Sequence, residues 1–294
     1  MRILHVDSGR EMRGGQWQVL YLLRGLRESG HEIRLLARPD GGLLARARTE
    51  GFDAAPVSLP GLAWPRTDIL HAHDARSHSR AILPGVVRAP VVVSRRVAFP
   101  VRSGWASRWK YSRAAHYIAI SKFVAMRLEE AGIRRDRVSV VYDGVPAHAG
   151  SGTVGTRIVT LASGDPMKGA DLVRQAAEGA VFSHALAADL ETASMFVYIT
   201  RSEGLGSAAL LAMSRGVPVI ASAVEGLFEV IEDQRTGLLV ENTPAAIAAA
   251  IARLAGDPAW ARRLGEAGRE RATTLFSTGR MVEDTIRVYE KVRR

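Results

Sequence analysis

The stretch "RSEGLGSAALLAMSRGVPVIAS", residues 201–222, decides the fold. It sets one acid, Glu203, beside Gly204 and Gly206, ahead of an uncharged run from Ser207 to Ser214 that ends at Arg215 and Gly216. The apolar run "VPVIAS" follows it and "SMFVYIT" precedes it. Short apolar, β-branched runs flanking an apolar helix with a glycine stop read as strand, helix, strand of a parallel sheet. A carboxylate at the positive end of a helix is electrostatically comfortable, so a cap alone would account for Glu203. A cap requires neither glycine, and the pair points to a ligand approaching the backbone closely.

The alternation extends in both directions. Upstream, "RILHV" reads as a strand and "QWQVLYLLRGLRESG" as a helix with Val19, Leu22, Leu23 and Leu26 on one face. Strands "HEIRLLAR", "DAAPVSL", "DILHAHD", "APVVVSRR", "HYIAIS" and "VSVVYDGV" follow, with helices "LLARARTEG" and "KFVAMRLEEAGI" among them. A polar, glycine-rich stretch, "AHAGSGTVG" (147–155), reads as a linker. Beyond it come strands "TRIVTLAS", "SMFVYIT", "VPVIAS" and "GLLVE", helices including "GADLVRQAA" and "AAIAAAIARLAG", and a long helical tail. This predicts an α/β chain of two Rossmann-like, doubly wound parallel-sheet domains, residues 1–150 and 151–294, the last helix packing back on the first domain. Ligands of such folds meet the carboxyl ends of the strands, here expected in a cleft that the two domains face.

The 294 residues carry a net charge of +10 and contain no cysteine, which excludes disulfides and thiolate metal sites. The start lacks the apolar core and cleavage site of a secretory signal, and no run reaches the roughly 20 apolar residues of a spanning helix. A cytoplasmic protein, peripheral at the inner face of the membrane, is expected. The basic excess belongs to residues 1–150, which hold 24 Lys and Arg against 13 acids, a net of +11. From Ala75 to Leu128 there are eleven basic residues, Arg102 among them, and no acid. Such a surface attracts anionic lipid heads or phosphorylated substrates, and an Arg-rich composition without a partner is the plain alternative. Aromatics interleave this stretch, but no nucleic-acid motif accompanies them, and no nucleic-acid partner is expected.

Several loops carry candidate chemistry. Gly14 and Gly15 stand between the first strand and first helix, where backbone amides meet phosphate, although the spacing lacks a full dinucleotide fingerprint. In "HAHDARSHSR", His71 and His73 share one strand face, so a metal pair is conceivable, but no third ligand follows in the sequence and no metal is expected. His73 alone, at a strand's end facing the cleft, is the candidate hydrogen-bond or acid/base group. Lys168 and Gly169 open a helix after a strand, where a lysine can meet a diphosphate. Arg95 and Arg96 are candidate acceptor- or anion-binding residues.

Together these residues resemble glycosyltransferase family 4, retaining enzymes of the GT-B fold. The likeness rests on Gly14 and Gly15 with "LLRGLRESGHEI", then "YIAISKFVAMRLEEAGI", "VYDGV", "KGADLV", "SEGLGSAALLAMSRGVPVIAS", "EVIEDQRTGLLV" and "VYEKV". "VVVSRRVAFPVR" is similar to members that build bacterial surface glycans, including lipopolysaccharide core. The resemblance implies that Glu203 hydrogen-bonds the donor sugar, that Gly204, Leu205 and Gly206 border sugar and phosphate, and that Lys168 binds the diphosphate. It implies that Gly14 and Gly15 close on the donor, that a nucleotide-sugar is the substrate, and that no metal or other cofactor is needed. A glycolipid or surface glycan is the expected acceptor.

Five departures accompany the likeness. Leu211 stands where the family's second glutamate would hold the ribose, and Ser163 where an arginine contacts phosphate. Glu225 replaces the first of a glycine pair, with Gly226 kept. The interval 169–202 is short, so the second domain is abridged; Ser94 and Arg95 stand where many members have a histidine. The rival reading is a donor-impaired or non-catalytic descendant that binds glycan or membrane.

Overall fold

The computed structural model describes residues 1–83, 85, 87–101, 104–148 and 155–293. Arg102 and positions 149–154 of the expected linker lie outside them. The chain divides into two units, Met1–Gly144 with Thr278–Arg294, and Val145–Ser277. The boundary thus falls at Gly144, ahead of the glycine-rich stretch, and the last helix belongs to the first unit.

The first unit runs β1 (Arg2–Asp7), α1 (Gly14–Glu28), β2 (Glu32–Ala37), α2 (Gly42–Thr49), β3 (Asp53–Pro56), α3 (Leu59–Leu62), β4 (Ile69–Ala72) and α4 (Ala75–Ala81). It continues through β5 (Val91–Arg95), α5 (Trp105–Arg113), β6 (His116–Ala119), α6 (Lys122–Glu130) and β7 (Val138–Val140). Its seven strands lie in the order β3-β2-β1-β4-β5-β6-β7, all parallel. The order reverses between β1 and β4. Strands such as β4 and β6 are buried along their whole length, as expected of a parallel sheet covered on both faces. Ser121 and Asp74 cap α6 and α4 by accepting backbone N–H bonds.

The second unit runs β8 (Arg157–Leu161), α7 (Ala170–Ala176), β9 (Val181–Ser183), α8 (Leu186–Asp189), β10 (Ala193–Tyr198), α9 (Ser207–Ser214) and β11 (Val219–Ser222). It ends with α10 (Glu225–Val230), β12 (Leu238–Val240), α11 (Pro244–Gly256) and α12 (Pro258–Leu275). Its five parallel strands lie in the order β12-β11-β10-β8-β9, reversing between β8 and β10. This sheet is the smaller. Its core gathers Val173, Val197, Ile220, Ile247 and Leu254. The helix after Glu203 starts only at Ser207, so residues 203–206 form a loop ahead of it.

The final helix, α13 (Thr278–Arg293), completes the first unit. It places Met281, Val282, Val288 and Tyr289 in a core with Leu22, Leu26 and Val92. Gly25 of α1 is small for this reason, since a Cβ there would lie 2.4 Å from Val282.

Candidate functional site

In open parallel sheets, loops leaving adjacent strands at an order reversal diverge and leave a crevice at the carboxyl edge. In the second unit that point is β8/β10, and it is flanked by Lys168 after β8 and Glu203 after β10. Lys168 Nζ donates to Glu203 Oε2 at 2.8 Å, and Tyr198 Oη donates to the same oxygen. The Gly204 amide donates to Oε1 at 3.0 Å. Glu203 is 16% and Lys168 31% exposed, a half-buried pair that can still reach a ligand. Burial, and then the neighbouring carboxylate, push the Tyr198 hydroxyl well above its ordinary pKa, so it stays a donor.

The loop holding Glu203 is pinned from three sides. Arg201 N and Thr200 Oγ1 donate to the Met167 carbonyl at 2.8 and 3.1 Å. Asn242 Nδ2 donates to the Thr200 carbonyl at 3.0 Å, while Ser222 Oγ bridges Thr200 N and Asn242. Gly226 N donates to the Glu203 carbonyl, and a Cβ at 226 would lie 2.5 Å from Gly204 carbonyl atoms. Gly206 has φ +106, a conformation L side chains avoid. The glycines serve backbone packing as well as any ligand, and Leu205 is a fully buried anchor. Ser222 and Asn242 were not legible as site residues, because each acts through a partner distant in sequence, and Tyr198 because it sits within an apolar strand run.

In the first unit the reversal at β1/β4 carries a buried polar cluster. His73, directly after the carboxyl end of β4, is 4% exposed, and its Nε2 meets His5 Nδ1 at 2.9 Å. Burial, then the positive charge of neighbours, hold its pKa well below the ordinary value, so the ring is neutral near pH 7 and poorly suited to donate a proton in acid catalysis. His71 joins Tyr289 Oη at 2.6 Å and Ser94 Oγ at 2.8 Å. His5 supplies the third ring that the sequence did not offer: His5, His71 and His73 bring ligand-capable nitrogens within 4.8 Å of one another. Register explains it, since His5 pairs with His71 across β1 and β4. Among the described residues His5 Nε2 and His73 Nδ1 have no hydrogen-bond partner, so these two rings lack at those atoms the second-shell acceptors that metal-bound histidines ordinarily have.

Other expected anion binders are already engaged. Arg96, 14% exposed, is ion-paired with buried Asp143. Arg95 donates to Tyr111 Oη at 2.9 Å and to the Phe99 carbonyl. Both therefore hold the β5 end together. Gly14 and Gly15 open α1, and a Cβ at Gly15 would meet Arg96 at an ordinary 3.6 Å. Asp7, unmarked by any motif, is buried beside them, with Gly9 N and Gln16 Nε2 donating to it; burial raises its pKa.

A model of glycosyltransferase family 4 matches residues 12–148, and one of glycosyl transferases group 1 matches residues 134–257. Together the two models match residues 12–257, and that stretch belongs to this glycosyltransferase group. Alpha-maltose-1-phosphate synthase of Mycolicibacterium smegmatis is 40% identical over 117 residues, 37% of this chain and 30% of the relative. The chain thus spans less than a third of the length of that relative. Among solved structures, HepE of Anabaena, in complex with UDP and glucose, superposes with a TM-score of 0.84 at 15% identity over 99% of both chains. The lipopolysaccharide outer core galactosyltransferase WaaB, in apo form, gives 0.70 at 14% identity over 99% of this chain and 100% of its own. The fold of the chain is GT-B, with two parallel-sheet domains, the second smaller.

Proposed function

We propose that the chain is a retaining glycosyltransferase that moves a sugar from a nucleotide-sugar to a glycolipid or surface-glycan hydroxyl. The observation that carries this reading is the Lys168–Glu203 pair at the β8/β10 reversal, tethered by Tyr198. A diphosphate can draw Lys168 to its oxygens, while Glu203 accepts bonds from sugar hydroxyls and Gly204, Leu205 and Gly206 border them. Transfer breaks the sugar C1–O bond to the diphosphate, which leaves with the electron pair, and forms a C1–O bond to the acceptor, whose hydroxyl proton is released. Lys168 offsets the charge that grows on the leaving group. No metal or cofactor enters this scheme.

Calorimetry with UDP, UDP-glucose and other nucleotide sugars, followed by anomeric analysis of the product, tests the reading. Micromolar binding and a retained anomer are expected; no binding across the panel refutes it. The second reading, a donor-impaired descendant, is favoured by Leu211 and Ser163, and by Glu225, whose Oε2 is buried without a hydrogen-bond partner among the described residues. Leu211→Glu separates the two, tightening nucleotide binding if the pocket is merely weakened.

The acceptor side is proposed to work at an anionic cytoplasmic membrane surface. Helix α5 buries none of its residues, and Trp105, Trp109 and the nearby Phe99 are 80%, 45% and 57% exposed. Aromatics beside arginines suit a lipid interface. Co-sedimentation with anionic vesicles should occur at low salt and weaken as salt rises; absence at low salt overturns this part.

A further inference from the structure

The reversal of the first sheet carries a second basic site that no family motif marks. Loops leaving β1, β2 and β3 and helix α4 enclose an open recess of about 270 Å³, lined by Ser8, Arg38, Asp40, Val57, Arg76 and Arg80. The volume falls just below that of drug-sized sites, roughly 300–1,000 Å³, so it suits a phosphate with part of a sugar ring rather than a whole nucleotide. Its charged side chains are three arginines and one aspartate, a net of +2, which matches the −1.5 to −2 of a phosphomonoester at pH 7.

The arginines are not equally committed. Asp40 accepts from Arg38 Nε at 2.6 Å and Nη2 at 3.2 Å. Arg80 Nη1 donates to Ser8 Oγ at 2.8 Å, and Ser8 Oγ lies 3.0 Å from Ser77 Oγ, which donates to Asp74 Oδ2. That chain orients Arg80 from below. Among the described residues neither Arg76 nor Arg80 pairs with a carboxylate. Asp74, the acid next to the recess, already accepts from Ser8 N, Arg76 N, Ser77 N and Ser77 Oγ. It is satisfied locally and does not claim the guanidinium groups.

We infer that this recess binds a phosphomonoester group, through Arg76, Arg80 and Arg38, and that it does so on the acceptor of the proposed transfer. The recess lies at the same carboxyl edge of the sheet as Arg95 and Arg96 but is lined by other arginines. The word acceptor rests on the transferase reading; the anion site itself does not.

The test is calorimetry with glucose 1-phosphate, inorganic phosphate and plain glucose at fixed ionic strength, in a Lys168→Ala background that removes the expected donor-phosphate contact. Glucose 1-phosphate is expected to bind, glucose is not, and Arg76→Gln or Arg80→Lys should each weaken binding about tenfold. Arg262→Gln, exposed on α12 of the second unit, should change it little. A second arm uses phosphatidylcholine vesicles with and without phosphatidic acid. Binding of phosphatidic acid vesicles lost in Arg76→Gln identifies a lipid headgroup as a source, and binding of the soluble sugar phosphate alone identifies a free one. Equal binding of glucose and glucose 1-phosphate, or equal losses in Arg76→Gln and Arg262→Gln, overturns the proposal. UDP binding by the unsubstituted protein is measured alongside, so loss of the transferase reading shows separately.

Discussion

Single side chains divide into those that face ligand and those that hold the sheet edge. Lys168 makes one charge-assisted bond to Glu203, and a bond of that kind to a diphosphate contributes about 1.5–3 kcal/mol. Lys168→Ala is therefore expected to lower UDP affinity roughly ten- to a hundredfold, read by calorimetry, with a melting shift no larger than the loss of its bond to Glu203. The histidines act through stability instead. Burial lowers His5 to about 3 and holds His71 and His73 well below their ordinary value, whereas an unfolded histidine titrates near 6.5. Between these values the unfolded chain binds the extra protons, so stability is complete above about pH 6.5 and falls as pH drops toward the folded values. Each such ring contributes a slope of about 1.4 kcal/mol per pH unit well below pH 6.5. Denaturant titrations at pH 7.5 and 5.0 should show the loss, and His73→Gln should reduce the slope by about one proton. An unchanged slope would mean that the ring is charged or solvated in the fold.

At the scale of elements, the loop 201–206 owes its shape to close backbone contact more than to the helix behind it. Gly226 approaches Gly204 so closely that a Cβ would sit 2.5 Å from its carbonyl atoms, which cannot move without displacing Glu203. Gly226→Ala is expected to cost about 1–3 kcal/mol by overpacking and to weaken UDP binding along with it. Thermal melting and calorimetry on one preparation check this; full donor affinity in that variant would show the loop to be adaptable. Helix α5 behaves in the opposite way, since none of its residues is buried. Trp105→Ala and Trp109→Ala should leave melting within about 0.5 kcal/mol of the parent while reducing vesicle binding.

At the scale of the molecule, the first unit is closed by the end of the chain. Met281, Val282, Val288 and Tyr289 of α13 enter its core, and Tyr289 Oη also satisfies His71. Burying each such side chain contributes about 1.5–3 kcal/mol, a sum comparable with the 5–15 kcal/mol of a whole domain. A chain ending at Ser277 is therefore expected to lose cooperative unfolding of the first unit, seen as lost near-ultraviolet circular dichroism and dye binding. Tyr289→Phe isolates the polar part and should cost about 1–3 kcal/mol by leaving His71 Nδ1 unpartnered.

The sequence by itself determined the alternation of parallel strands and helices, the placing of Glu203 and Lys168 at strand ends, and the basic bias of the first half. These are local properties, written in periodicities of two and 3.6 and in glycine stops. Helices α4 and α5 were not legible, because α5 packs no apolar stripe and α4 is short and polar. Only the tertiary structure decided that β8 and β10 are neighbours, and hence that Lys168 meets Glu203 across 35 residues. It likewise decided that His5 joins His71 and His73, and that Arg96 is spent on Asp143 while Arg76 and Arg80 line an open recess. A chain's charges are visible along its length, but whether each is paired depends on contacts between strands far apart in sequence, which local patterning does not encode.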